Sequence, residues 1–183
     1  MAQHLLNEAS RPQIGIDDGI LELDSSYVEW TVPISGDFDG DGKTDLTVFR
    51  PVTAQWFIRY SGQNYDISSA GTYQWGLTGD IPIATDFDGD GRNDLVVFRP
   101  PTGQWFIRYS SRNYDVSTPG MYQWGLPGDV PIVGDFDGDG KAELTVYRPP
   151  TGQWFIRYSS QNYDVSTPGV YQWGLPGDIP IKP

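Results

Sequence analysis

The stretch DFDGDGRNDLVVFRPPTGQWFIRY, residues 86–109, decides how this chain is read. It crowds four carboxylates into nine residues, then passes into β-branched and aromatic residues broken by a Pro-Pro-Thr-Gly turn. Two further copies exist. DFDGDGKTDLTVFRPVTAQWFIRY occupies residues 37–60 and DFDGDGKAELTVYRPPTGQWFIRY residues 135–158, an interval of 49 residues each time. Trp56, Trp105 and Trp154 keep that spacing, as do Trp75, Trp124 and Trp173.

Self-similarity at this period is the signature of units that cannot bury their faces alone and must stack on one another. Four extended runs are legible in each repeat. In the middle one they are Ile81 onward before the acidic loop, Leu95-Val-Val-Phe-Arg after it, Gln104-Trp-Phe-Ile-Arg-Tyr, and Met121-Tyr-Gln-Trp. The runs are apolar on both faces in places, as expected of sheets packed between neighbouring sheets. The Pro-Gly of Thr118-Pro-Gly suits the two central positions of a type II turn, where glycine supplies the positive φ. These features predict an all-β fold: a β-propeller of four-stranded antiparallel blades, with three full 49-residue repeats and partial blade elements at the ends.

Residues 1–26 do not match the repeat and read as a separate segment, with a short hairpin at Ile14-Gly-Ile-Asp-Asp-Gly-Ile-Leu-Glu-Leu. Blades are expected over about 30–78, 79–127 and 128–176, within a repeat region of residues 27–183. Asp178-Ile-Pro-Ile then opens a further blade. The first repeat has weaker turns, with Thr53-Ala in place of Thr-Gly and Ser69-Ala-Gly in place of Thr-Pro-Gly, which predicts looser hairpins. Three blades and a part make a poor ring, so the chain is expected either to associate with copies of itself to complete one or to be a fragment of a longer propeller.

The formal charge of −12 argues against a nucleic-acid partner, since phosphates would be repelled. That acidity is local, because the three loops hold four carboxylates each out of 24 in the chain. With no cysteine, disulfides, zinc-thiolate sites and thiol nucleophiles are excluded. No apolar run approaches a membrane span, and the start MAQHLLNEASRP is no signal peptide. An extracellular or bacterial cell-surface location is the expectation.

The loops themselves point to a cation. Asp37, Asp39 and Asp41 alternate, so they can curl inward while Phe38 points to the core, and Gly40 and Gly42 permit so tight a turn. The Lys43 carbonyl and Asp45 complete the cage. The second set is Asp86, Asp88, Asp90, the Arg92 carbonyl and Asp94. The third is Asp135, Asp137, Asp139, the Lys141 carbonyl and Glu143, whose extra methylene predicts a different grip. Oxygen-only ligands in this number suit calcium above magnesium or zinc, giving three Ca²⁺ sites, one per repeat. The competing reading is an acidic Asp-Gly hairpin without metal, in which the carboxylates would repel or take up protons. An EF-hand is excluded, because position twelve is Val48, Val97 or Val146 where a bidentate Glu is needed.

DxDxDGxxD followed by Leu-x-Val-Phe/Tyr-Arg-Pro resembles the FG-GAP/VCBS repeat family, known from integrin α-subunit propellers, bacterial surface proteins and some propeller lectins. The resemblance covers about residues 30–183. It implies that the acidic loop joins two strands of a blade and binds calcium. The literal Phe-Gly and Gly-Ala-Pro motifs are absent, with Phe49-Arg-Pro, Phe98-Arg-Pro and Tyr147-Arg-Pro near the latter's place; the departure bears on integrin-like partners and not on the metal loop.

Beyond calcium, two partner classes are open. Trp56, Trp105 and Trp154 with Arg59, Arg108 and Arg157 supply the aromatic faces and polar neighbours of a carbohydrate site, repeated for avidity. Large aromatics at repeat spacing are more often packing between blades, and that reading leaves a protein-adhesion or scaffolding surface. Catalysis is not expected: His4 is the only histidine, and no nucleophile with a base can be assembled.

Overall fold

A computed structural model describes residues 34–181. The chain divides into two units, Met1–Thr31 and Val32–Pro183, and the described residues all lie in the second. The hairpin expected near residues 14–23 lies outside the described residues.

Each acidic loop runs into a strand of alternating apolar residues, and each repeat folds as an antiparallel meander. The first sheet contains β1 (Leu46–Arg50), β2 (Gln55–Arg59) and β3 (Gly71–Gln74). The second contains β4 (Ile81–Thr85), β5 (Asp94–Arg99), β6 (Gln104–Arg108) and β7 (Gly120–Gln123) in that order. The third repeats it with β8 (Val130–Ile132), β9 (Leu144–Arg148), β10 (Gln153–Arg157) and β11 (Gly169–Gln172). Register repeats with the sequence, so Phe49 faces Trp56, Phe98 faces Trp105 and Tyr147 faces Trp154. Pro82 and Pro131 lie in β4 and β8, which are edge strands, where a missing N–H costs no inner ladder bond. In the first sheet this edge is represented by a single bridge between Gly36 and Asp45.

The period of two places successive residues of one strand against different neighbours. Leu95 and Val97 of β5 pack with Phe38, Trp56 and Ile58 of the first repeat. Val96 and Phe98, one residue along, pack with Leu144 and Val146 of the third. Hydrogen bonds stitch the same seams. Asn93 N–H donates to the Asp37 carbonyl at 2.6 Å, and Ala142 N–H to the Asp86 carbonyl at 2.7 Å. Two successive left-handed residues, Asn113 and Tyr114 (φ 51° and 55°), bend the loop after β6 and send the Tyr114 hydroxyl back to the Phe38 carbonyl at 3.1 Å. Tyr163 does the same to Phe87 at 3.1 Å.

The described residues form three sheets in a row and no closed ring, with one core joining the first to the second and another the second to the third. Two expectations are corrected. Asp178-Ile-Pro-Ile is not a strand; Ile179 and Ile181 are exposed, with no strand beside them to pair with. Pro119-Gly120 and Pro168-Gly169 do not make type II turns, since Gly120 and Gly169 are absent from the positive-φ residues and open β7 and β11; the positive φ falls instead on Gly128 and Gly177 of the later Pro-Gly pairs (89° and 93°). Glycine is needed there for close approach: a Cβ at Gly120 would stand 2.3 Å from the Tyr109 hydroxyl oxygen. Among the described residues no helix is long and apolar enough to cross a membrane.

The first repeat keeps the register of the others despite its altered turns. Ala54 takes the left-handed conformation (φ 51°) that Gly103 and Gly152 hold at 66° and 67°. Such a conformation costs a residue with a Cβ about 1–2 kcal/mol. Ala54→Gly is therefore expected to stabilise the protein by about 1 kcal/mol in urea unfolding, the gain in the fold exceeding the added freedom of the unfolded chain.

Candidate metal centres

The first aspartate of each loop organises the backbone. Asp37 accepts Gly40 N–H at 2.6 Å on one oxygen and Gly42 N–H at 2.8 Å on the other. Asp86 does so with Gly89 and Gly91 (2.6 and 2.8 Å), and Asp135 with Gly138 and Gly140 (2.6 and 2.9 Å). All six glycines have φ between 81° and 88°, which a side chain would oppose. The third aspartate closes the turn: Asp41, Asp90 and Asp139 accept the N–H of Lys43, Arg92 and Lys141 at 2.8, 2.9 and 2.9 Å.

The turn gathers the carboxylates. One oxygen each from Asp37, Asp39 and Asp41 lies within 4.8 Å of the others, as do those of Asp86, Asp88 and Asp90. In the third loop the group of Asp135, Asp137 and Asp139 also includes Glu143 within the same 4.8 Å. Asp45 and Asp94 fall outside these groups, so the extra methylene of Glu143 carries a fourth carboxylate in where an aspartate stops short.

Asp45 and Asp94 instead tie chain segments together. Asp45 accepts Phe38 N–H at 2.8 Å and Ser61 N–H at 2.7 Å. Asp94 accepts Phe87 N–H at 2.9 Å, Ser110 N–H at 2.8 Å and the Ser110 hydroxyl at 2.9 Å. Glu143 accepts from Phe136 N–H and from the Ser159 hydroxyl at 2.8 Å.

The serines were not foreseen. Ser61 and Ser110 also donate to Asp41 and Asp90, each at 2.8 Å, and Ser160 donates to Asp137 at 2.6 Å. Their one sequence signal is recurrence: Ser61, Ser110 and Ser159 stand 16 residues after the fourth carboxylate in every repeat. Of the three expected carbonyl ligands, that of Arg92 receives the Ser110 hydroxyl at 3.4 Å. The basic side chains at these positions serve the loops differently. Lys43 and Arg92 pair with Asp41 and Asp90 at 3.3 and 2.8 Å. The stems of Arg92 and Lys141 lie over Gly40 and Gly89 of the preceding loops.

Burial pushes the Asp94 carboxyl up to about 7, with the nearby Asp88 charge adding to the effect against three accepted hydrogen bonds. Burial also raises Glu143 and Asp39. The Ser61 hydroxyl holds Asp41 below the usual range. For Asp90, burial works upward, but bonds from Arg92 and Ser110 outweigh it and the net shift is down. One oxygen of Asp88 is buried with no hydrogen-bond partner. An all-oxygen donor set with such an orphaned acceptor fits a hard divalent cation.

A family model described as FG-GAP-like repeat matches residues 37–97 and again 86–146, together more than half of the chain. The chain belongs to the FG-GAP-like repeat family. Each FG-GAP-like match starts at one acidic loop and ends inside the strand after the next, so it spans a whole seam between sheets. Comparison with curated proteins and with solved structures gave no match.

Two of the three tryptophans offered to a ligand are sealed by packing, the other reading the sequence left open. Trp56 and Trp105 have no exposed surface, and their indole N–H groups donate to the carbonyls of Trp75 and Trp124 at 3.0 and 2.8 Å. Arg108 is buried, donates to the Tyr114 carbonyl and lies over the Trp75 ring at 5.7 Å. Arg157 repeats this against Tyr163 and Trp124, while Arg59 is exposed and Trp154 half-buried on the far face of the third sheet. The partly open aromatics are the other set. Trp75, with Leu77, Arg99, Phe106 and Val116, lines a cleft of about 340 Å³ between the first and second sheets.

A carboxyl raised in the fold favours the protonated form there. Below its unfolded value of 3.8 the full contribution is present, and it is lost as pH rises toward about 7. In EDTA, melting temperature is expected to fall from pH 5 to pH 7.5, and the slope to flatten in Asp94→Asn.

Proposed function

We propose that the chain is a calcium-binding module of β-propeller blades, in which calcium is chiefly structural and the assembled surface serves recognition. The observation that carries this is the threefold gathering of carboxylate oxygens within 4.8 Å. Asp37, Asp39 and Asp41, then Asp86, Asp88 and Asp90, then Asp135, Asp137, Asp139 and Glu143 would hold the ions. A bound ion supplies two positive charges, which offset the mutual repulsion of each group. Three ions halve a formal charge of −12. The loop carries the strut carboxylate at its foot, so an ion that fixes the loop also fixes the segments bonded to Asp45, Asp94 and Glu143. The proposal assigns no catalysis and puts the module outside the cell or on a bacterial surface.

The recognition surface is proposed at the clefts between sheets. Trp75 with Arg99 and Phe106 offers an aromatic wall and a guanidinium held by Asp80 at 2.9 Å, features suited to a carbohydrate. The exposed rim residues Leu77 and Val116 favour instead a protein ligand in an adhesion or scaffolding role.

Calorimetric titration is expected to count three calcium ions per chain, falling to two in Asp88→Asn with Asp90→Asn. A hundredfold excess over the dissociation constant adds about 2.7 kcal/mol per site, which for three sites corresponds to a rise in Tm of roughly 15 °C or more. An unmoved Tm would sink the metal reading. On a glycan array in calcium, binding that Val116→Asp weakens and EDTA abolishes supports the carbohydrate reading; silence across the array favours the protein one.

A further inference from the structure

The two outer faces of the stack are the two halves of the seam that the chain already makes twice within itself. Leu95 and Val97 are 0% and 1% exposed because the first sheet covers them, whereas their counterparts Leu46 and Val48 on the first sheet are 57% and 63% exposed. On the other side, Phe87 is 2% exposed under the third sheet, whereas its counterpart Phe136 is 44% and Trp173 is 79% exposed. One outer face therefore carries the front half of the seam and the other carries the back half.

Polar groups repeat the pattern. At the internal seams Trp75 and Trp124 donate their indole N–H to the carbonyls of Phe106 and Phe155, each at 3.2 Å. Arg108 and Arg157 reach back to the carbonyls of Gln74 and Gln123 at 3.3 and 3.4 Å, and their guanidinium groups lie over Trp75 and Trp124 at 5.7 and 5.5 Å. Tyr114 and Tyr163 donate to the carbonyls of Phe38 and Phe87, both at 3.1 Å. Shifting every partner by one repeat pairs Trp173 with the Phe57 carbonyl, Arg59 with Gln172 and Trp173, and Tyr65 with the Phe136 carbonyl. Arg59 and Trp173 are both exposed, on opposite ends of the stack.

We propose that a second copy of this chain docks head to tail, its first sheet on the third sheet of its partner, remaking the internal seam between chains. The inference rests on the propeller reading given above. A seam whose two halves differ is heterologous, and it gives a closed assembly only when successive rotations complete a circle. With three sheets per chain, two copies give six blades, the one multiple of three inside the usual range of about four to eight. Ile34 already packs in the core beside the first sheet, so the seam is made by faces and leaves residues 179–181 outside it.

Light scattering of the full chain in calcium should give twice the 20.4 kDa of one chain. Trp173→Glu and Arg59→Glu, both at exposed positions, should each halve that mass. A variant truncated after Asp178 should keep it. The chain has no cysteine, so Val48→Cys and Trp173→Cys proteins can be mixed with a short bis-maleimide. The mixture should cross-link while each alone does not; cross-linking of either single variant would indicate a face-to-face dimer and overturn the proposal. So would dissociation on truncation after Asp178, which would mean strand exchange. A single-chain mass in a sample whose Tm still rises with calcium overturns the second copy and leaves the metal reading standing. A two-chain mass in a sample whose Tm calcium leaves unmoved does the reverse.

Discussion

Asp45, Asp94 and Glu143 sit at the foot of the three acidic loops with almost no exposed surface, and each accepts N–H groups from two separate chain segments. One is the start of its own loop. The other is the turn that leaves β2, β6 or β10, 16 residues on. Buried backbone donors require acceptors, and a carboxylate with two oxygens can serve both segments at once. The arrangement fixes where the loop begins and where the sheet's far connection lies. The first three aspartates of each loop are held on that frame.

The frame also explains how adjacent repeats recognise each other. The loop start that Asp94 holds includes Asp86, whose carbonyl receives Ala142, and Phe87, whose carbonyl receives Tyr163. The loop thus serves two surfaces: carboxylates toward solvent and backbone carbonyls toward the next sheet. Aromatic packing supplies the remainder, with Trp105 edge-on to Phe98 at 5.2 Å and Phe87 beside it at 6.2 Å. A seam with both polar direction and apolar area is specific in register as well as adhesive.

Much of this was legible in the sequence because it repeats. The 49-residue interval, the strands flanking the loops and the Asp-x-Asp-x-Asp-Gly turns all follow from local chemistry. What was not legible depends on which neighbour a face meets. Trp56 and Trp75 are alike in type and periodicity, yet one is sealed and the other lines a cleft, because only the fold decides which side of a strand the next sheet covers. Ser61 reads as an ordinary loop residue until Asp41 and Asp45 are brought to it from 20 and 16 residues away. Pro119-Gly120 misled for a related reason: the same dipeptide that favours a turn also clears space for the Tyr109 hydroxyl.

Since every join between units uses the same residues displaced by one period, the number of units is free to change without redesign of any contact. Duplication or loss of a whole 49-residue segment would hand each surviving back surface a front surface it already fits. A deletion of an odd number of residues within a strand would shift its apolar side chains to the wrong side. Ala54, left-handed where the other two repeats have glycine, shows how much change one module tolerates while its joins stay intact.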